Sequence, residues 1–351
     1  MNSTVILKGN ILYTPRPSEF ISIQHGYIIA VDGIVVYCGE SIPPAYADCE
    51  VTDYGDNLII PGFVDTHAHA PQYCNRGLGM DKELLPWLET YTFPEEAKFS
   101  DLDYARLVYG AFVQDLWRNG TTRSILFGTI HKESTLVLME LLQKAGLSAY
   151  VGKVNMDRNS PDFLIEETSQ SLADTKEWLE VSASFGPLVK PIITPRFVPS
   201  CTSELMDGLG TLSEEYNVPI QSHLSENHGE IDWVASLHPE SPNYTDVYYE
   251  HKLMGRTPTV MAHCIHLSDI EMDRIAETQT MVSHCPYSNV NLSSGIAPIR
   301  KLIERNIPIG LGSDISGGHI VSMVKVLTEA IGLSKMKWAE VDPNYAPLTL
   351  S

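Results

Sequence analysis

The sequence predicts an α/β protein: a (β/α)8 TIM-type barrel that follows a small N-terminal β-sheet domain. Three observations predict it. From about residue 58, short apolar runs alternate with helical stretches, the pattern of parallel βα units. Five chemistry-bearing motifs each fall at the end of such a run: LIIPGFVDTHAH, VPIQSHLSE, TVMAHC, TMVSHC and IPIGLGSD. Before residue 58 the runs ILKGNILYT, FISIQHGYIIAV and GIVVYCG are short, β-rich and broken by Gly and Pro.

Taken in order, residues 1–57 read as a small antiparallel sheet, part of a β-sandwich, and residues 58–351 as the barrel. Strands are expected at 58–65, 122–127, 148–154, 189–194, 218–223, 259–263, 280–284 and 307–313. Between them, apolar residues recur at three- and four-residue spacing. DLDYARLVYGAFVQDLWRNG is the clearest helix, closed by a Gly that suits a C-cap. The stretch from 70 to 100 is too rich in Pro, Gly and aromatics for one helix, and is expected to form a wall or lid beside the first motif. A doubly wound sheet is the rival. It accounts less well for functional residues on strands 1, 5, 6, 7 and 8, which a closed ring brings to one mouth.

Of 351 residues, 43% are hydrophobic and 19% charged, which is ordinary for a globular protein. The net charge of −20 argues against a nucleic-acid polymer or an anionic lipid surface as partner and leaves a small neutral substrate open. The N-terminus lacks the basic and apolar regions of a signal peptide, and no run approaches the ~18 apolar residues of a membrane span. Cys38, Cys49, Cys74, Cys201, Cys264 and Cys285 are scattered without a C-x-x-C pair. They are expected to be free buried thiols in a reducing compartment, and the expected location is cytoplasmic.

His67 and His69 flank Ala68, and residues two apart on a strand share a face, so both imidazoles can reach one ion. Imidazole suits zinc or iron(II). Asp65 could hold a ring nitrogen. His223 and Glu226 form H-x-x-E, which can supply a ligand and a nearby general base. His263 and His284 end the next two runs, where either alone would more often be structural. Asp314 follows a Gly-x-Gly turn and would also suit a helix N-cap. The coincidence carries the argument, because each feature falls at the same end of an expected strand. No P-loop, dinucleotide fingerprint, G-x-S-x-G elbow or H-x-E…P-C-x-x-C deaminase signature is present.

PGFVDTHAH, HLSE, AHC, SHCP and GSD, in this order, resemble the amidohydrolase superfamily. THAHAPQY, PWLETYTFPEE, NGTT, KPIITPRF, QSHLSEN and SHCPYSNVNLSSG narrow the likeness to its guanine deaminase family, from about residue 55 onward. The resemblance implies one zinc ion held by the residues matching His67, His69, His223 and Asp314, with iron(II) or manganese remaining open. It implies that Glu226 shuttles protons and that His263, with Asp314, orients the attacking water. It places Gln72, Arg196 and Phe197 around a purine, with His284 counted among the substrate-binding residues. The implied reaction takes guanine and water to xanthine and ammonia, in a homodimer. The rivals are a deaminase of another ring, such as cytosine, a triazine or an adenosine derivative, and an inactive truncated paralogue that binds metal without turnover. Family members continue beyond APLTLS. A C-terminally truncated barrel, and an N-terminal sheet without C-terminal strands, are therefore expected.

Overall fold

The computed structural model describes residues 3–349; the outermost ends of the two expected domains, residues 1–2 and 350–351, lie outside them. The described chain divides into two compact units, one ending at Gly62 and joined by Thr349, the other Phe63–Leu348.

The first unit is a four-stranded sheet: β1 (Thr4–Arg16), β2 (Glu19–Val31), β3 (Ile34–Gly39) and β4 (Val51–Ile59), in the order β3-β2-β1-β4. The β2–β3 hairpin turns on Asp32 and Gly33, both in left-handed backbone (φ 51° and 81°), which matches the right-handed twist of the flanking strands. Ile6 and Ile29 face each other across β1 and β2 and are fully buried. The three runs read from the sequence pair antiparallel; β4, which that reading did not include, runs parallel to β1. The connection from Gly39 to Val51, with a 3-10 turn at Pro44–Tyr46, is long enough for the crossover that a parallel pair needs.

The second unit is the barrel. Its strands are β5 (Phe63–His69), β6 (Thr121–Phe127), β7 (Ser148–Gly152), β8 (Val154–Asn155), β9 (Val189–Pro191), β10 (Thr194–Pro195), β11 (Ile220–Leu224), β12 (Thr259–His263), β13 (Met281–His284) and β14 (Ile309–Leu311). β5-β6-β7-β9 and β11-β12-β13-β14 form parallel arcs, with β8 paired to β10 and a bridge from Ile193 to Ile220 joining the arcs on one side. On the other side, Asp314 N donates to His67 O and His69 N to Ile315 O, each at 2.8 Å, so the ring closes. The runs expected at 148–154 and 189–194 each appear as two short strands. The run expected at 58–65 is displaced. Leu58 and Ile59 pair with β1, Pro61-Gly62 breaks the chain, and the barrel strand starts at Phe63 and extends to His69.

Helix Leu102–Arg118 shows how the outer layer forms. Asp101 caps it by accepting from Asp103 N and Tyr104 N. Ala105, Val108, Tyr109, Phe112, Val113 and Leu116 make a buried stripe at helical spacing. Asn119 and Gly120 (φ 71°) end the helix and lead into β6.

Candidate active site

The functional side chains rise from the C-terminal ends of β5, β11, β12 and the segment after β14. Backbone there is unusual: Ser225, His263, Cys264 and Asp314 all have left-handed φ, between 47° and 70°. Such strain in non-glycine residues persists only where the surroundings fix it, and it clusters at functional sites. Gly312 allows the approach of β14's continuation to β5, since a Cβ there would lie 2.9 Å from the Cβ of His67.

His67, His69, His223, His263 and Asp314 are all buried and converge. Asp314 Oδ1 lies 3.2 Å from His67 Nε2 and 3.6 Å from His69 Nε2, and Oδ2 lies 3.7 Å from His263 Nε2. His69 Nε2 and His223 Nε2 approach to 3.1 Å. His223 Nδ1 donates to the carbonyl of Arg196 at 2.6 Å. A carbonyl only accepts, so this bond fixes the tautomer and leaves the Nε2 lone pair facing the cluster. His67 Nε2 and His69 Nδ1 have no hydrogen-bond partner among the described residues. Burial, followed by the neighbouring imidazoles, holds His69 and His223 well below the usual histidine range. They are therefore neutral, the form that binds metal.

These observations fit a metal. Two nitrogens bound tetrahedrally at 2.0–2.1 Å would sit roughly 3.3 Å apart, close to the His69–His223 separation. A second grouping of possible donors brings Cys285 Sγ near His67, His263 and Asp314. Burial pushes that thiol far up, which disfavours the thiolate form that binds metal.

The two site carboxyls are driven apart. Burial raises Glu226 well above the carboxylate range, helped by the charges of Asp314 and Glu230. Burial also opposes the charge on Asp314, but its neighbours His67 and then His263 outweigh it and hold Asp314 well below that range. One acid is thus poised to carry a proton while the other stays ionised. Glu226 Oε2 lies 3.2 Å from His263 Nε2. Its backbone is pinned by Glu230, which accepts from Glu226 N and Asn227 N and also from the Tyr244 hydroxyl.

A single cavity joins this cluster to a binding wall. His69, His223, Glu226, His263 and Asp314 line one side; Gln72, Arg196 and Phe197 line another; Leu84, Trp87, Leu88 and Leu292 complete it. The 70–100 stretch therefore supplies a wall, built from short helical turns including Leu84–Trp87 and Phe93–Glu96. Arg196 and Gln72 are both held by Glu96, through Oε2 to Arg196 Nη1 at 2.6 Å and Oε1 to Gln72 Nε2 at 2.8 Å.

Two sequence expectations meet a different geometry. Asp65 does not hold a ring nitrogen; it accepts from Ser313 N, Ser313 Oγ and His67 N, and so ties β5 to the segment that carries Asp314. Its burial raises it to about 6. His284 is buried at the end of β13 but is not among the residues lining the cavity, and its Nδ1 has no partner among the described residues. Burial, with His263 and Lys337 nearby, lowers it to about 3. Glu96, Glu230 and the apolar lining escaped the sequence reading. For Glu230 a signal exists in Asn227-His-Gly-Glu230, which spells the capping box found at helix His228–Leu237.

Residues 58–348 match the model of the amidohydrolase family. The chain is 52% identical over 300 residues to guanine deaminase of Dictyostelium discoideum, covering 85% of this chain and 66% of the relative. It is 39% identical over 326 residues to guanine deaminase of Escherichia coli K12, covering 90% of this chain and 73% of that one. The crystal structure of guanine deaminase from C. acetobutylicum, with guanine bound in its active site, superposes with a TM-score of 0.97 at 50% identity, covering 99% of this chain and 83% of that one. The chain thus spans about two thirds of the length of the Dictyostelium relative. The resemblance read from the motifs is borne out, and this chain belongs to the amidohydrolase family.

Proposed function

We propose that this chain is a zinc-dependent guanine deaminase, converting guanine and water to xanthine and ammonia. The observation that carries the reading is the shared cavity: a hydrolytic cluster on one side and the donors of Arg196 and Gln72 on the other. The similarity to guanine deaminases, one with guanine bound, supports the same substrate.

His67, His69, His223 and Asp314 would hold the metal. When bound, zinc lowers the pKa of water from 15.7 to about 7 and so supplies a nucleophile at neutral pH. The remaining steps belong to the chain's own groups. Arg196 and Gln72 fix the purine edge, Phe197 packs against the ring, and the apolar wall of Leu84, Trp87, Leu88 and Leu292 excludes bulk water. The water oxygen forms a bond to C2. Glu226 takes one water proton and passes it to the ring nitrogen beside C2; the second, from the new C2 hydroxyl, passes through Glu226 to the exocyclic nitrogen, which leaves as ammonia as the C2–N bond breaks and C2=O forms. Its raised pKa suits a group that must both hold and release a proton. Asp314 stays ionised and accepts a hydrogen bond from the water. His263, beside both carboxylates, orients that water. His284 stays outside the proposed contacts because it does not line the cavity.

The reading extends to a cytoplasmic homodimer that binds neither nucleic-acid polymer nor membrane. Among the described residues no helix is long and apolar enough to cross a bilayer. Sedimentation of the purified chain tests the dimer.

The deciding experiment is ammonia release from guanine by the zinc-loaded chain, with cytosine and adenine in parallel. Guanine-selective release is expected. Release from another ring alone keeps the chemistry and discards the substrate. A folded, zinc-bound chain that releases no ammonia favours the paralogue that binds metal without turnover.

A further inference from the structure

Glu96 is 1% exposed and lies behind the cavity wall, not among the residues that line it. We infer that Glu96 is a positioning residue that sets both Gln72 and Arg196 to present N–H donors to the cavity, so that the site selects a 6-oxo purine against a 6-amino purine. The inference rests on the purine reading of the pocket and goes beyond it.

An ionised carboxylate can only accept. The Gln72 group facing Glu96 Oε1 must therefore be the amide nitrogen, and the amide has no choice of orientation. The far side agrees: Gln72 Oε1 accepts from the backbone N–H of Ser316 at 3.2 Å and from its hydroxyl at 3.3 Å, and a backbone N–H can only donate. With the carbonyl engaged from behind, the capacity left to Gln72 is its second N–H. Glu96 Oε2 fixes Arg196 through Nη1, and the guanidinium lies 5.1 Å from the centroid of the Phe93 ring. Among the described residues, Nη1 is the one guanidinium nitrogen of Arg196 with a hydrogen-bond partner. Nε and Nη2 remain as donors beside the cavity.

A wall of donors reads acceptors. A 6-oxo purine offers O6 and N7, whereas a 6-amino purine replaces O6 with an N–H2 donor. Donor against donor leaves a buried guanidinium N–H unpaired, the kind of mismatch that separates close analogues best. Replacing Glu96 by Gln would put an NH2 against one of two groups that themselves donate. One amide must then turn, and the polarity of the wall is no longer fixed.

The test uses the full zinc-loaded chain and two purines that lack the 2-amino group, hypoxanthine and adenine, with dissociation constants measured by calorimetry. The unsubstituted chain is expected to favour hypoxanthine. In Glu96→Gln that preference falls about tenfold or more, through weaker hypoxanthine and not through weaker adenine. Glu96→Asp keeps the charge, is the variant that decides if Glu96→Gln does not fold, and gives a smaller fall in the same direction. Equal weakening of both ligands, or an unchanged ratio in a folded variant, overturns the inference by reducing Glu96 to a structural role. No oxo preference in the unsubstituted chain also overturns it, whatever the turnover. A retained oxo preference without ammonia release from guanine leaves the inference standing and sinks the deaminase reading instead.

Discussion

The two units of this chain carry recesses of opposite character. In the barrel the recess is floored by buried His, Asp and Glu, most with a named polar partner. In the N-terminal sheet the recess is a cleft lined by Leu7, Ile11, Ile28, Val35, Ile59 and Ile60 among others, with no charged residue. The first depends on atom-by-atom polarity, so exchanging one oxygen for nitrogen changes what it does. The second depends on area and shape, so a similar apolar side chain serves nearly as well. Chemical function and sheet stability should therefore respond to different substitutions.

The largest break in that contrast is Glu226→Gln. It preserves shape and removes only the proton carrier, so ammonia release should fall roughly 10²–10⁴-fold while bound zinc, measured by atomic absorption, stays constant. Unchanged turnover removes Glu226 from the mechanism. Next comes Arg196→Ala. Losing the guanidinium should lower kcat/KM for guanine about 10- to 100-fold. The melting midpoint should also fall, because buried Glu96 loses its cationic partner. If guanine turnover is unaffected, the purine edge is read elsewhere. Smaller still is Ile29→Val in the sheet, expected to cost about 0.5–1.5 kcal/mol of stability by chemical denaturation with kcat intact; a change in kcat instead would tie the sheet to catalysis. Last is Val35→Lys, at a position 62% exposed on the cleft. It should stay within about 0.5 kcal/mol, and a larger loss would show that the cleft contributes to this chain's stability.

What the sequence made legible follows from the same contrast. His67, His69, His223, His263 and Asp314 could be picked out because each ends an apolar run and an imidazole or carboxylate is rare there. The pairing of such residues was not legible. Asp65 finds its partner in Ser313, 248 residues away, and Glu96 finds Arg196 100 residues away. Neither link leaves a local pattern. His284 carries the same signal as His263, yet only His263 enters the cavity, because placement depends on the backbone after each strand end rather than on residue type. In the sheet, the apolar runs showed that strands exist, but the direction of β4 depends on a connection whose composition does not state where it leads.

The carboxyl of Asp65 ties the first barrel strand to the segment after the last. That tie has a kinetic consequence. Closure of the ring is the most non-local event in the barrel, and non-local contacts form late because loop entropy opposes them. Asp314 reaches His67 only once that closure has happened. A nascent or half-folded chain would hold its histidines without their carboxylate and bind metal weakly, so full metal affinity would emerge as the final sign that the barrel is complete.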